Sequence, residues 1–318
     1  MANYTQLTAH DIQAIANNYD LTVLNFESIN GGAGNSSYLL QTRKEKYVLT
    51  VCDDKALKDA INLGKLLLWL EKNNFSTTRL VLSVTNAPVI RYQDKPVMLK
   101  IYIEGDTLEQ LDSGMLAQIG REMAKLHQIS VPDDLPHQHA YESQCFSAIM
   151  DQKINTDYKA WLVKQQLYFK ENLSPQLRHC LIHGDLFYDN VLFENNRLKA
   201  LIDFEEACYY YQGFDLGMSI LGLCTQNEVI NLDKARAFVA GYQQIQPLAA
   251  IEKQTLQIFI QYAAVTTSSW RFWKYYIDTP SVENSNKHHQ MMQIAEAINQ
   301  IPPLQFLTTV FNYEGLKN

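Results

Sequence analysis

Apolar residues recur at two different periods along this chain, and the change of period marks its organisation. Ile12, Ile15 and Ala16 follow Thr8 at helical spacing, which predicts a short helix over about 9–19 with Thr8 as its N-cap. Leu21, Val23 and Phe26 then alternate with polar neighbours, as in a strand over 21–29. A glycine-rich turn follows at 31–37, then strand character at 38–40, a polar hairpin turn at 43–46 and a strand at 47–51. Asp54 is placed to cap a helix running to about Asn73, with Leu57, Ile61, Leu66 and Leu70 on its inner face. Short strands are expected around 79–85 and 96–103, the second closed by Gly105.

Beyond Gly105 the helical period takes over. Met115, Leu116, Ile119, Met123 and Leu126 mark a helix over about 113–129, broken by Pro132 and Pro136. Further helices are expected at about 142–171, 213–224, 231–245, 250–277 and 283–300. One β-rich island, Leu181 to Phe204, interrupts them. The pattern predicts a small N-terminal lobe over 1–104, an antiparallel sheet with one main helix, and a larger, mostly helical lobe over 105–318, an α+β architecture with a hinge near Ile101–Gly105.

Composition narrows the classes. The 318 residues are 47% hydrophobic and 19% charged, ordinary for a globular protein, and the net charge of −7 argues against a nucleic-acid binder. Five widely spaced cysteines with no C-x-x-C pair read as reduced thiols, not as disulfides or a zinc site. The N-terminus lacks a signal-peptide pattern and no apolar run is long enough for a bilayer, so a soluble cytoplasmic protein is expected. His137, His139, His288 and His289 lie in polar stretches without partners at metal spacing and are expected on the solvated surface.

The chemistry concentrates in Leu181-Ile182-His183-Gly184-Asp185-Leu186-Phe187-Tyr188-Asp189-Asn190-Val191-Leu192-Phe193, with Leu201-Ile202-Asp203-Phe204-Glu205 shortly after. Each motif follows an apolar strand that delivers acidic and amide side chains to a loop. Phosphoryl transfer needs such groups: a carboxylate beside the acceptor hydroxyl and hard oxygen ligands for magnesium. In the kinase template H-R-D-x-x-x-x-N followed by D-F-G, His183-Gly184-Asp185 stands for the first three residues. Asn190 falls five after the Asp, and Asp203-Phe204-Glu205 stands for D-F-G.

On these motifs the chain resembles the aminoglycoside phosphotransferase and choline kinase superfamily, whose loop reads H-G-D-x-x-x-x-N and whose metal motif begins I-D-F/W. The resemblance implies a protein-kinase-like two-lobed fold, ATP and Mg²⁺ as cofactors, and a small-molecule alcohol or amino-alcohol as substrate, in a monomer or homodimer with no nucleic-acid or membrane partner. It implies Asp185 as catalytic base, His183 as the imidazole that holds the loop, and Asn190 and Asp203 as metal ligands. Asp215, in Gly213-Phe214-Asp215-Leu216-Gly217, matches a buried Asp that braces the loop, and Glu205 is a possible supplement to the metal site. The glycine-rich turn, with Gly31, Gly32, Gly34 and Asn35, would cradle phosphates, because backbone N–H groups in such turns form an anion nest. Ile101 and Ile103 sit where the family's hinge bonds adenine. Thr50 stands where kinases carry a phosphate-binding Lys, which leaves Arg43, Lys44, Lys46 or the backbone and magnesium to serve the phosphates.

The N-terminal third is similar to the bacterial homoserine kinase branch. Tyr19-Asp20-Leu21, the Ile29–Tyr38 glycine segment and Tyr47-Val48-Leu49-Thr50 match its pattern, as do Asp185-Leu186-Phe187 and Trp270-Arg271-Phe272-Trp273. Gly34 departs from it by standing where the branch has Glu. Homoserine as acceptor would make Arg271 the candidate for its carboxylate, with Trp270 beside it. The aromatics Trp270, Phe272, Trp273, Tyr275 and Tyr276 could instead cage a quaternary ammonium. Choline, ethanolamine or an aminoglycoside as acceptor, and a nucleotide binder without turnover, are the alternatives.

Overall fold

The computed structural model describes residues 5–29, 34–152 and 156–312. The chain divides into two compact units. One comprises residues up to Gly105 together with Lys199–Glu205; the other comprises Asp106–Leu198 and the remainder from Glu206.

The first unit opens with helix α1 (Ala9–Ala16), and Thr8 caps it. The Thr8 hydroxyl accepts the Asp11 N–H at 3.3 Å while the Asp11 carboxylate accepts the Thr8 N–H at 2.8 Å, a reciprocal box that satisfies two orphan donors. Strands β1 (Asn25–Ile29), β2 (Asn35–Gln41) and β3 (Lys46–Cys52) precede helix α2 (Leu57–Lys72). Strands β4 (Leu80–Val81), β5 (Ile90–Tyr92) and β6 (Lys95–Ile101) complete an antiparallel sheet of order β1-β2-β3-β6-β4, with β5 also on β6. Strict alternation sends Tyr38, Leu40, Leu49, Val51, Val97 and Leu99 to one face, where they pack with Ile12 and Ile15 of α1. Asp54 does not cap α2: the helix starts after Ala56, which offers no side-chain cap. The expected strand over 21–29 begins only at Asn25, and that over 79–85 shrinks to two residues.

The second unit holds α3 (Ser113–Leu126), α4 (Ala140–Asp151), α5 (Thr156–Asn172), β7 (His179–Ile182) and β8 (Val191–Glu194). Strand β9 (Arg197–Leu201) begins there and carries the chain into the first unit. On its return come β10 (Cys208–Tyr211), α6 (Gln212–Cys224), β11 (Thr225–Gln226), β12 (Val229–Ile230), α7 (Leu232–Gln243), α8 (Ala250–Phe272), α9 (Lys287–Gln300) and α10 (Pro303–Phe311). The single helix expected over 142–171 is two, because the backbone turns extended at Gln152. Asp112 caps α3 by accepting the Met115 N–H at 2.8 Å. After α8 the chain winds into a π-helical run, Trp273–Asp278.

Two of the four histidines expected at the surface are interior. His139 is fully buried and His288 is 1% exposed, with Nδ1 of His288 bonded to the Ser285 carbonyl at 2.8 Å. Both sit among aromatic rings, Tyr141 and Phe214 for His139, Tyr158 and Phe272 for His288, which their polar sequence neighbours did not foretell. All five cysteines are free and buried.

Helices α3 and α7 cross where each presents a glycine to the other's backbone. A Cβ on Gly120 would stand 2.1 Å from the Phe238 carbonyl oxygen, and one on Gly241 would stand 2.2 Å from that of Ala117. Backbone cannot retreat as a side chain can. Gly120→Ala is therefore expected to cost about 3 kcal/mol or more, read as a lowered denaturant midpoint; a midpoint unchanged from wild type would show that the crossing relaxes without cost.

Candidate active site

The catalytic-loop motif lies wholly in the second unit. Strand β7 is paired antiparallel with β10, Ile182 opposite Cys208, and this fixes where the chain leaves the sheet. The next two amides are captured by one carboxylate. His183 N–H donates to Asp215 Oδ2 and Gly184 N–H to Asp215 Oδ1, each at 2.8 Å. Asp215 is fully buried in the first turn of α6. Its Oδ2 also accepts from Nε2 of His127 at 3.0 Å, and Nδ1 of His127 meets the Tyr242 hydroxyl at 2.8 Å. Burial would raise the Asp215 carboxyl, but the His127 bond and charge, His183 and the Gly184 N–H outweigh it and hold it below the ordinary carboxylate range. Removing such a carboxylate strands its donors in the interior and costs about 3–5 kcal/mol.

Gly184 has φ +85°, a conformation natural to glycine, and a Cβ there would stand 2.6 Å from the Glu206 carbonyl and 3.0 Å from Nε2 of His139. That imidazole donates to the Gly184 carbonyl at 3.1 Å. The Asp185 N–H donates to Nδ1 of His183 at 3.3 Å, which makes Nδ1 the unprotonated nitrogen of that ring. The loop closes through Asn190, whose Nδ2 donates to the Asp185 carbonyl at 2.9 Å, so the amide oxygen is the end that could hold a metal. The Asp185 carboxylate is half-buried and accepts from the Tyr141 hydroxyl at 3.2 Å. Asp189 is exposed.

Tyr141 lies against Trp270, centroids 5.5 Å apart, and Trp270 against Tyr275 at 6.1 Å. Arg271 donates from Nη1 to the Lys287 carbonyl at 3.1 Å and to Gln290 Oε1 at 2.9 Å. Burial lowers its pKa, opposed by the charges of Tyr275 and Asp185. Tyr141 and His139 were missed in the sequence. They lie more than forty positions before the loop, and nothing in their spacing points to it.

The first unit carries the second motif. Leu201 is anchored by its N–H to the Ser76 carbonyl at 3.1 Å and by its carbonyl to the Thr77 hydroxyl at 2.6 Å. Asp203 follows with φ +67°, the left-handed region, and Phe204 packs edge-on against Phe75. Glu205 accepts from Asn35 Nδ2 and is paired with Lys55 at 3.2 Å. Gly31 and Gly32 lie outside the described residues; Gly34 is described, and its carbonyl accepts the Asp54 N–H at 3.3 Å. The Ile101 N–H donates to the Arg79 carbonyl at 2.9 Å. Thr50 is buried in β3 between Ser37 and Met98.

The sequence profile of the phosphotransferase enzyme family (APH) matches residues 25–248, and the chain belongs to that family. Among curated proteins it is 27% identical over 297 residues to a homoserine kinase of Gluconobacter oxydans (strain 621H), covering 88% of this chain and 92% of the relative. It is 28% identical over 281 residues to a homoserine kinase of Caulobacter vibrioides (strain NA1000 / CB15N), covering 83% and 87%. Among solved structures it is similar to a microcompartment-associated aminopropanol kinase, TM-score 0.73 at 17% identity over 94% of this chain and 99% of that one. It is also similar to an amicoumacin kinase bound to AMP-PNP and Ca²⁺, TM-score 0.71 at 17% identity over 93% and 95%. The fold is the protein-kinase-like α+β fold of these enzymes, and the protein is a small-molecule kinase, for which the family implies ATP as phosphoryl donor. No helix among the described residues is long and apolar enough to cross a membrane.

Burial pushes His139 down to about 4. The unfolded chain takes up a proton near pH 6.5 that the folded loop refuses until about pH 4, so stability is full above that window and falls as pH drops through it. The loss attributable to this ring is roughly 3 kcal/mol. Denaturation across the window should show a shallower pH slope in His139→Gln than in wild type; equal slopes would mean the ring titrates normally.

Proposed function

We propose that this enzyme transfers the γ-phosphoryl group of ATP to the hydroxyl of L-homoserine, giving O-phospho-L-homoserine, with magnesium as metal. The observation that carries the reading is the Asp185 carboxylate, offered by a loop whose backbone is held by Asp215, His139 and Asn190. A base for a hydroxyl must be held in place before its substrate arrives, and the N–H groups of His183, Gly184 and Asp185 and the carbonyls of Gly184 and Asp185 each have a side-chain partner. The relatives named homoserine kinase supply the acceptor.

In this reading Asp185 accepts the acceptor's proton as the hydroxyl oxygen bonds to phosphorus and the bond to ADP breaks. His183 holds the loop from within, and Asp215 braces it. Asn190 and Asp203 supply the metal's oxygen ligands. One amide oxygen and one carboxylate are hard oxygen donors that would suit Mg²⁺, and a metal held there would supply neutralisation of the charge on the transferring group. Residues 1–104 form the nucleotide lobe, with Gly31, Gly32, Gly34 and Asn35 at the phosphates and Ile101 and Ile103 at adenine; residues 105–318 form the catalytic and acceptor lobe. Arg271, close enough to feel the charge of Asp185, binds the acceptor's carboxylate. The face of Trp270, beside Tyr141 and Tyr275, takes its ammonium.

A coupled ADP-release assay tests the reading with L-homoserine, choline, ethanolamine, aminoglycosides and no acceptor. Saturable stimulation by homoserine alone is expected; a response to another alcohol alone would discard homoserine and keep the kinase. Asp185→Ala should lower kcat by about 10²–10⁴-fold with nucleotide binding retained, and near-normal kcat would remove the base. Asp203→Ala should abolish activity or raise the metal requirement, and an unchanged metal titration would reject it as ligand.

A further inference from the structure

In a kinase that lacks the third-strand lysine another side chain can bring a cation to the phosphates, and the register of the first unit's sheet places one on the same face. Opposite the packed face lie three cross-strand rows. Asn35 stands beside Cys52, Ser37 beside Thr50 and Met98, and Leu39 beside Val48 and Lys100. Thr50 and Lys100 therefore share a face, one diagonal step apart. Such a step is about 7–8 Å, which a four-carbon stem spans.

Lys100 is half-buried on β6, and among the described residues its ammonium makes no salt bridge or side-chain hydrogen bond. A partly desolvated ammonium without a counter-ion is costly unless an anion completes it. Burial and Glu205 push the Cys52 thiol up to about 11, while Lys100 and Lys55 oppose them, so both ammonium groups are near the row that follows Thr50.

Lys55 and the cations that the sequence offered are engaged or misplaced. Lys55 is paired with Glu205, which also holds Asn35. Lys46 is paired with Glu104 at 2.8 Å, at the opposite end of β3 from Cys52. Arg43 and Lys44 are exposed in the hairpin beyond it.

We propose that Lys100 is the phosphate-binding cation of this enzyme, the third-strand lysine having been exchanged for one on the neighbouring strand of the same sheet face. The proposal rests on the kinase reading above and adds to it the residue that replaces the missing lysine.

Calorimetric titration of the full chain with Mg-ADP and with adenosine tests it without any acceptor. Lys100→Met should weaken ADP by roughly 10–100-fold, as the loss of a charge-assisted bond does, and leave adenosine within about twofold. Lys100→Arg should keep most of the ADP affinity. Thr50→Lys placed in the Lys100→Met background should recover at least about tenfold, because it returns an ammonium to the same face. ADP binding by Lys100→Met within about threefold of wild type would overturn the assignment. So would an equal loss of adenosine, or a loss of ADP seen with Lys55→Met and not with Lys100→Met. Wild-type protein that binds no ADP would instead overturn the kinase reading, and the assignment with it.

Discussion

The second unit is organised around one buried carboxylate. Asp215 receives two successive backbone N–H groups from the His183–Asp185 loop and an imidazole N–H from His127, so three donors from two segments converge on two oxygens. A carboxylate in the interior is tolerable only when its oxygens are matched in this way, and the match prescribes its surroundings. His127 must sit at the end of α3, Tyr242 on α7 must hold the far side of that ring, and β7 must end where its next two amides point at α6. The α3–α7 crossing, made close by Gly120 and Gly241, brings the His127–Tyr242 pair within bonding distance. Packing of helices and placement of the Asp185 loop are thus one problem with one solution.

The motifs were legible because they are local. His183-Gly184-Asp185, Asn190 and Asp203 each follow an apolar strand within a few residues, and a strand's end dictates what the next side chains face. The helix α1 with its Thr8 cap and the antiparallel core of the first unit were legible for the same reason: period and capping chemistry act over a few residues. What stayed hidden acts over long separations. His139 reads as polar in a loop just after Pro136, yet it is enclosed by Tyr141, Tyr210 and Phe214, drawn from α4, β10 and α6. Strand β10 escaped because Cys208–Tyr211 is short and aromatic, and its role emerges only opposite β7. Nothing in the local sequence marks Lys100, and only the register sets it on the face of Thr50.

The aromatic wall beside Asp185 owes its form to the end of α8. The last α-helical turn carries Trp270 and Arg271, and the backbone then widens into a π-helical run held by Lys274 and Asp278 at 2.8 Å. Wider winding rotates each following side chain relative to an ordinary helix, so Tyr275 meets Trp270 edge-on rather than trailing behind it. A sequence periodicity tuned to 3.6 residues cannot register such a shift. That explains why the stretch read only as a stripe of rings.

Residues 199–205 belong to the first unit although ninety-three residues of the second precede them. The first unit is therefore not a continuous stretch of gene. A fragment ending at Gly105 would lack the segment that Ser76 and Thr77 hold, along with Asp203 and the Glu205 partner of Asn35 and Lys55. Neither part can be lifted out, duplicated or exchanged by a single recombination event, as a bead on a string can. The two units must be inherited together.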